Sequence, residues 1–186
     1  DIGLAFDGDA DRLGVVTNSG EIIYPDRQLI MFARDVLARN PGGEIIFDVK
    51  CSRHVAEQVK KFGGKPTMWQ TGHSLIKAKL KISGALLAGE MSGHIFFQER
   101  WFGFDDGLYA GARMLEIVAN QHLSTTELFA QVPQGIVTPE IGVSMPDAKK
   151  FEFMQRLVKQ AEFPGAQKIT IDGLRVEYPE GWGLVR

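Results

Sequence analysis

Cysteine is nearly absent from this 186-residue chain, in which Cys51 stands alone, so no internal disulfide can form. No apolar run approaches the roughly 20 residues needed to cross a bilayer, and no membrane partner is expected. A basic excess is also missing: 21 Lys and Arg face 23 Asp and Glu, for a formal net charge of −2, which removes the usual reason to expect nucleic acid. Neither an initiator Met nor a signal peptide opens the chain. It starts in the apolar run Ile2 to Phe6 and stops in Trp182 to Arg186, so both ends read as cuts through strands of a longer protein. What is present, 44% hydrophobic and 24% charged residues, is the composition of an ordinary globular protein with one sizeable core. A cytoplasmic enzyme is the plain expectation.

The order of elements sets the fold class. Leu4-Ala5-Phe6 reads as the end of a strand that feeds the polar loop Asp7 to Arg12. Leu13 to Thr17 and Glu21 to Tyr24 then read as a hairpin turning at Asn18-Ser19-Gly20. From Asp26 the apolar residues 29, 33, 36 and 37 define a helical face, closed by Asn40-Pro41-Gly42-Gly43. Next come strand 44–49, helix 52–62, strand 67–70, helix 74–82 and strand 85–89, a βαβαβ run that predicts a largely parallel sheet with flanking helices in an α/β fold. A strand at Ile95 to Phe97 precedes a helix from about Asp106 to Gln121, with Leu108, Ala112, Leu115 and Ala119 expected inward and Asp105 as its cap. Val132-Pro133-Gln134-Gly135 marks a boundary. Beyond it a strand at 140–144, a helix at 148–161 and a hairpin from Lys168 to Tyr178 suggest an incomplete α+β domain.

Asp7-Gly8-Asp9-Ala10-Asp11-Arg12 carries the sharpest chemical signal. Three carboxylates at alternate positions of one tight loop repel each other unless a cation sits among them, and oxygen-only ligands favour a hard ion such as Mg²⁺. A solvated Asp/Gly turn is the bland alternative. An EF-hand is excluded, because Arg12 stands where Gly is needed and Asn18 where Glu is needed.

Topology supplies a second group. Ligands of open α/β sheets bind beyond the carboxyl ends of the strands, and Lys50, His73 and Glu90 each follow such an end. Gly89-Glu90-Met91-Ser92-Gly93-His94 adds a hydroxyl and a second imidazole in one short loop, a mixture suited to a polyhydroxylated ligand. Each residue alone has an ordinary surface or turn role as its alternative. The aromatic run Phe96, Phe97, Trp101, Phe102 and Phe104 reads as core or interface packing rather than a sugar platform, and Cys51 as a small buried thiol.

Taken together, DGDADR (Asp7 to Arg12), DVKCS (Asp48 to Ser52), TGHSLIK (Thr71 to Lys77), GEMSGH (Gly89 to His94), WFGFDDG (Trp101 to Gly107) and YPEGWGLVR (Tyr178 to Arg186) resemble the α-D-phosphohexomutase superfamily, in the family's own order. The pair GEMSGH and DGDADR resembles its phosphomannomutase/phosphoglucomutase branch. Phosphoglucosamine mutases typically carry Gln at the Met91 position and Gly at the Ala10 position. The resemblance implies four domains in the whole enzyme: residues 1–20 would end the second, 21–133 would form the third, and 134–186 would begin the fourth.

It also implies the chemistry, in which a phosphoserine passes its phosphoryl group to a glucose or mannose phosphate. The hexose 1,6-bisphosphate so formed reorients and returns its other phosphate, interconverting the 1- and 6-phosphates. Carried over by residue, Asp7, Asp9 and Asp11 would hold Mg²⁺ and Arg12 would steady the phosphate. Glu90 and Ser92 would read the sugar hydroxyls, while Lys50, His73 and His94 would surround the reacting groups. The phosphoserine belongs to the family's first domain and the distal-phosphate loop to the rest of the fourth, so this piece alone is expected not to turn over.

Two rival classes remain. A haloacid-dehalogenase-type phosphatase also places Asp-x-Asp after a strand, with the first Asp as nucleophile, but wants Thr where Asp11 stands. A sugar- or metal-binding module without catalysis is the other.

Overall fold

The computed structural model describes all 186 residues and divides into two compact units, Asp1–Gly135 and Ile136–Arg186. The first opens with an antiparallel sheet of β1 (Ile2–Phe6), β2 (Leu13–Thr17) and β3 (Ile22–Ile23). Phe6 pairs with Leu13, so the acidic loop 7–12 is itself the connection of the β1–β2 hairpin. The strand expected at 21–24 shrinks to two residues because Pro25 begins α1 (Pro25–Arg39), where its fixed φ and missing N–H suit the first helical position.

The second sheet is built from β4 (Glu44–Asp48), β5 (Lys65–Trp69), β6 (Leu87–Gly89) and β7 (Ile95–Phe97), ordered β5-β4-β6-β7. The first two pairings are parallel, and β7 returns antiparallel to β6. The interposed helices are α2 (Arg53–Lys61) and α3 (His73–Ser83). Both faces of this sheet are covered, as the strand sequences require. Ile45, Phe47, Leu87, Ile95 and Phe97 join α1 and α2 residues in one core, while Ile46, Ala88 and Phe96 meet Ile76 and Leu80 of α3 in another. Alternate residues of one strand thus serve opposite layers, and burial on both faces produces near-continuous apolar runs.

After β7 come α4 (Gly107–Ala119) and α5 (Thr125–Ala130). Two expectations for α4 are corrected. Its N-cap is Asp106, whose side chain accepts from Tyr109 N–H, and not Asp105. Its inward face is Ala110, Met114 and Ile117 with Gly111, whereas Leu108 and Leu115 are 59% and 46% exposed and Ala112 and Ala119 lie outside. The helix carries two apolar stripes. Gly111 decides between them, since Phe6 and Leu4 of β1 approach to 3.2 and 3.4 Å from where its Cβ would stand. The short α5 was not anticipated. A capping box of Ser124 and Glu127 starts it, and Asn18 receives hydrogen bonds from Thr125 and Thr126, which ties the β2–β3 turn to this helix.

The second unit comprises α6 (Asp147–Gln160) and an antiparallel sheet of β8 (Gln167–Ile169), β9 (Leu174–Tyr178) and β10 (Gly181–Val185), ordered β10-β9-β8. Arg175 is buried there, 2.7 Å from Glu177 and 3.8 Å over the Trp182 ring. The strand expected at 140–144 does not form. Val143 and Ile141 are exposed and have β propensity, but no strand of this sheet takes them up as a ladder partner. No helix in either unit is long and apolar enough to cross a membrane.

Candidate functional site

Parallel pairing of β5, β4 and β6 brings their carboxyl ends to one rim of the sheet, and the antiparallel β6–β7 turn adds its loop to the same rim. Four segments meet there: the turn after Asp48, the start of α3 at His73, the loop Glu90–His94 and the residues before α4. The acidic loop of the first sheet is fastened to them through backbone. Leu13 N–H donates to Gly93 C=O at 3.2 Å, Gly107 N–H donates to Ala10 C=O at 3.1 Å, and Arg12 pairs with His94 as an isolated β-bridge. Gly107 is required by close approach, since a Cβ there would lie 2.7 Å from Arg12 O and 2.8 Å from Ala10 O.

Within the acidic loop Asp7, Asp9 and Asp11 each turn a carboxylate oxygen to within 4.8 Å of the other two. Asp11 Oδ1 is buried and without a hydrogen-bond partner. An all-oxygen, anionic donor set with an unsatisfied buried oxygen fits a hard divalent cation. Arg12 shares the cluster: its Nε donates to Asp7 Oδ2 at 2.5 Å and its backbone N–H to Asp7 Oδ1 at 3.2 Å, and Nε lies 3.7 Å from Asp11. Partial desolvation pushes the Asp7 carboxyl up, but the Arg12 hydrogen bonds and charge outweigh it and hold the carboxyl below its ordinary value. Ala10 adopts a left-handed φ of 60°, a conformation that glycine enters more cheaply than a residue with a Cβ.

Asp105 connects this loop to the rim. Its side chain is only 7% exposed. Oδ1 accepts from Lys77 Nζ at 2.7 Å, and Oδ2 lies 3.3 Å from both His73 Nδ1 and His94 Nδ1. His94 Nδ1 also stands 3.5 Å from Asp11 Oδ2, and the two imidazoles stack with centroids 5.5 Å apart. Burial pushes the Asp105 carboxyl up, yet the Lys77 hydrogen bond and charge, with His94, bring it below the ordinary range.

Glu90 is 1% exposed. Its Oε1 accepts from Gly72 N–H at 2.5 Å, while Oε2 is buried with no hydrogen-bond partner. Burial raises its pKa most, and the nearby Asp48 adds to the rise; the Gly72 N–H and the two histidines oppose it. Asp48, fully buried at the end of β4, accepts from Cys51 Sγ, Thr71 Oγ1 and Met91 N–H at 3.0, 3.0 and 3.1 Å, so one carboxylate binds three rim loops together. Burial, then Asp48, pushes the Cys51 thiol well up, as suits an inert thiol.

The structure therefore gathers Asp7, Asp9, Asp11, Arg12, His73 and His94 in one contact network, with Glu90 in the adjoining loop. Lys50 is half-buried two residues past β4, and Ser92 is exposed in the Glu90–His94 loop, both on the same rim. Sequence reasoning missed Asp105 and Asp48 as site-building groups. The signals were a doublet of acids before a helix that needs one cap, and an acid ending a buried strand. Of the aromatic run, Phe96 and Phe97 are core, Trp101 stacks on Tyr109 at 4.2 Å, and Phe102 and Phe104 are exposed.

Comparison with known proteins bears on this arrangement directly. The family model described as phosphoglucomutase/phosphomannomutase, alpha/beta/alpha domain III, matches residues 24–135. A phosphomannomutase/phosphoglucomutase of Pseudomonas syringae pv. tomato is 59% identical over all 186 residues, which cover 40% of its length. A phosphoglucomutase of Neisseria gonorrhoeae is 59% identical over 188 aligned positions, spanning all of this chain and 41% of its own. The crystal structure of a phosphoglucomutase/phosphomannomutase family protein from Burkholderia thailandensis superposes with a TM-score of 0.94 at 57% identity, covering all of this chain and 39% of that one. The chain thus spans about 40% of the length of the curated relatives it matches. With the α/β/α layering and these matches, the chain belongs to the phosphoglucomutase/phosphomannomutase family.

Proposed function

We propose that this chain supplies the metal-binding and sugar-recognition parts of a phosphohexomutase that interconverts hexose 1-phosphates and 6-phosphates of glucose or mannose. The observation that carries the reading is the 3.5 Å approach of His94 Nδ1 to Asp11 Oδ2, which supports reading the acidic loop and the hydroxyl-reading loop as one site. In the proposal residues 1–20 close a second domain, 21–133 form the third and 134–186 begin the fourth. The phosphoserine and the receptor for the distal phosphate come from the length of the relatives that this chain does not span. The reaction is placed in the cytoplasm, where charged sugar phosphates are retained.

Asp7, Asp9 and Asp11 would hold Mg²⁺, which when bound offsets the charge of the phosphoryl group in transfer. Arg12, already oriented by Asp7, steadies the same phosphate. Glu90 Oε2, buried and unpartnered, accepts a hydrogen bond from a sugar hydroxyl, since a ligand donor there removes the cost of an unsatisfied anionic oxygen. Ser92 takes a neighbouring hydroxyl. Lys50, His73 and His94 face the reacting end, where an imidazole can accept the proton of the attacking hydroxyl.

The test is an assay of the full-length parent protein with glucose 1-phosphate and mannose 1-phosphate, Mg²⁺ and a trace of hexose 1,6-bisphosphate. Wild type is expected to form the 6-phosphates, and Asp9→Asn is expected to lose that activity. Release of inorganic phosphate, with aspartyl phosphate trapped on Asp7, would replace this reading by a phosphatase.

A further inference from the structure

We propose that Asp105 is a positioning residue for the His94 imidazole, its own carboxylate pinned by Lys77. The inference rests on the mutase reading and deepens it. Two adjacent acids precede α4, and they have separated their work. Asp106 caps the helix through Tyr109 N–H and takes Trp101 Nε1–H at 3.2 Å, so Asp105 is not needed for helix initiation. Asp105 instead turns into the site, fixed in backbone by its β-bridge with Phe96 of β7.

A carboxylate with 7% exposed side chain costs stability unless something is gained from its charge. Lys77, one turn into α3, meets that need at 2.7 Å on Oδ1. This leaves Oδ2 directed at the two imidazoles, 3.3 Å from each Nδ1. Of the two rings His94 is the more enclosed, at 14% side-chain exposure against 52% for His73, and it packs within 6.3 Å of the Phe96 ring centroid. With Nδ1 facing Asp105 and Asp11, the opposite nitrogen, Nε2, is presented away from both carboxylates. His94 Nδ1 is buried and makes no hydrogen bond, so the Asp105 carboxylate at 3.3 Å acts on the ring through charge and contact, and Nε2 is the nitrogen left to meet a ligand. A plain tie between α3 and the segment before α4 gives different kinetics from a positioning role.

The experiment uses the full-length parent protein and compares kcat and KM for wild type, Asp105→Asn, His94→Ala and the double variant. Asp105→Asn keeps an acceptor for Lys77 while removing the charge. A positioning role predicts a fall in kcat of about 10- to 100-fold, smaller than the loss from His94→Ala, with KM changed by less than about threefold. It also predicts that Asp105→Asn costs almost nothing further in the His94→Ala background, because neighbours that act as a unit are not additive. Lys77→Met is the second variant, should Asp105→Asn fail to accumulate folded. It leaves Asp105 and His94 in place, although it also removes the 3.2 Å contact of Lys77 Nζ with His73 Nδ1, and it is expected to show the same dependence on His94. Wild-type kcat in these variants, or losses that multiply fully with that of His94→Ala, would overturn the inference and leave the mutase reading standing. An inactive wild-type parent would overturn that reading and this inference with it.

Discussion

At the end of β6, Glu90 gives one carboxylate oxygen to Gly72 N–H and keeps the other buried and unpartnered, so its ionised form is a burden on the fold. Burial sets its pKa above the ordinary value. The sign follows: for a carboxyl raised by folding, the penalty is fully present above the folded pKa. It disappears as pH falls to the unfolded value of about 4.3. Glu90→Gln, which carries no charge, should therefore have a higher Tm than wild type at pH 7–8, with the difference shrinking toward pH 4. A difference that is flat or grows on acidification would contradict the account. The three aspartates and Glu90 were legible because charge at alternate positions and placement after a strand are written in the chain. Asp105 and Asp48 were not, because the partners that give each its role come from loops distant in sequence. Asp48 meets Thr71 and Met91, and Asp105 meets Lys77, His73 and His94.

Among the elements, α4 shows how far periodicity reaches. Helix and length were readable from spacing, but the choice between its two apolar stripes was made by contacts across the fold, Gly111 against β1 and Arg113 against Asp35 and Glu99. The β-branched segment 140–144 illustrates the converse, since propensity does not make a strand without a neighbour to bond. The βαβαβ run was legible because doubly covered parallel strands leave continuous apolar sequences between helical patterns. The start of α4 also carries a prediction. A methyl at Gly107 would meet backbone oxygens of Arg12 and Ala10, which have no flexible end to yield. Gly107→Ala should destabilise the chain by about 1–3 kcal/mol, seen in urea unfolding, and should weaken Mg²⁺ binding by displacing the acidic loop. Unchanged stability and affinity would show that the loop is not held by this contact.

Over the whole molecule, the two units carry different shares of the reading. Asp1–Gly135 contains every candidate site residue. Ile136–Arg186 has a buried Arg175 and a small sheet beside α6, whose Met154, Leu157 and Val158 are half-buried while the rest of the helix is exposed. The two units divide after Gly135, at the end of the composition change Val132-Pro133-Gln134-Gly135. The central claim is that the acidic loop and the Glu90–His94 loop form one site, and the most direct measurement is paramagnetic NMR on this chain, with Mn²⁺ titrated in place of Mg²⁺. The account predicts that the His94 ring and the Ser92 and Gly93 amides broaden together with the amides of Asp7 to Arg12, and that Asp9→Asn abolishes the effect. Broadening confined to the acidic loop, or the same broadening in Asp9→Asn, would contradict it.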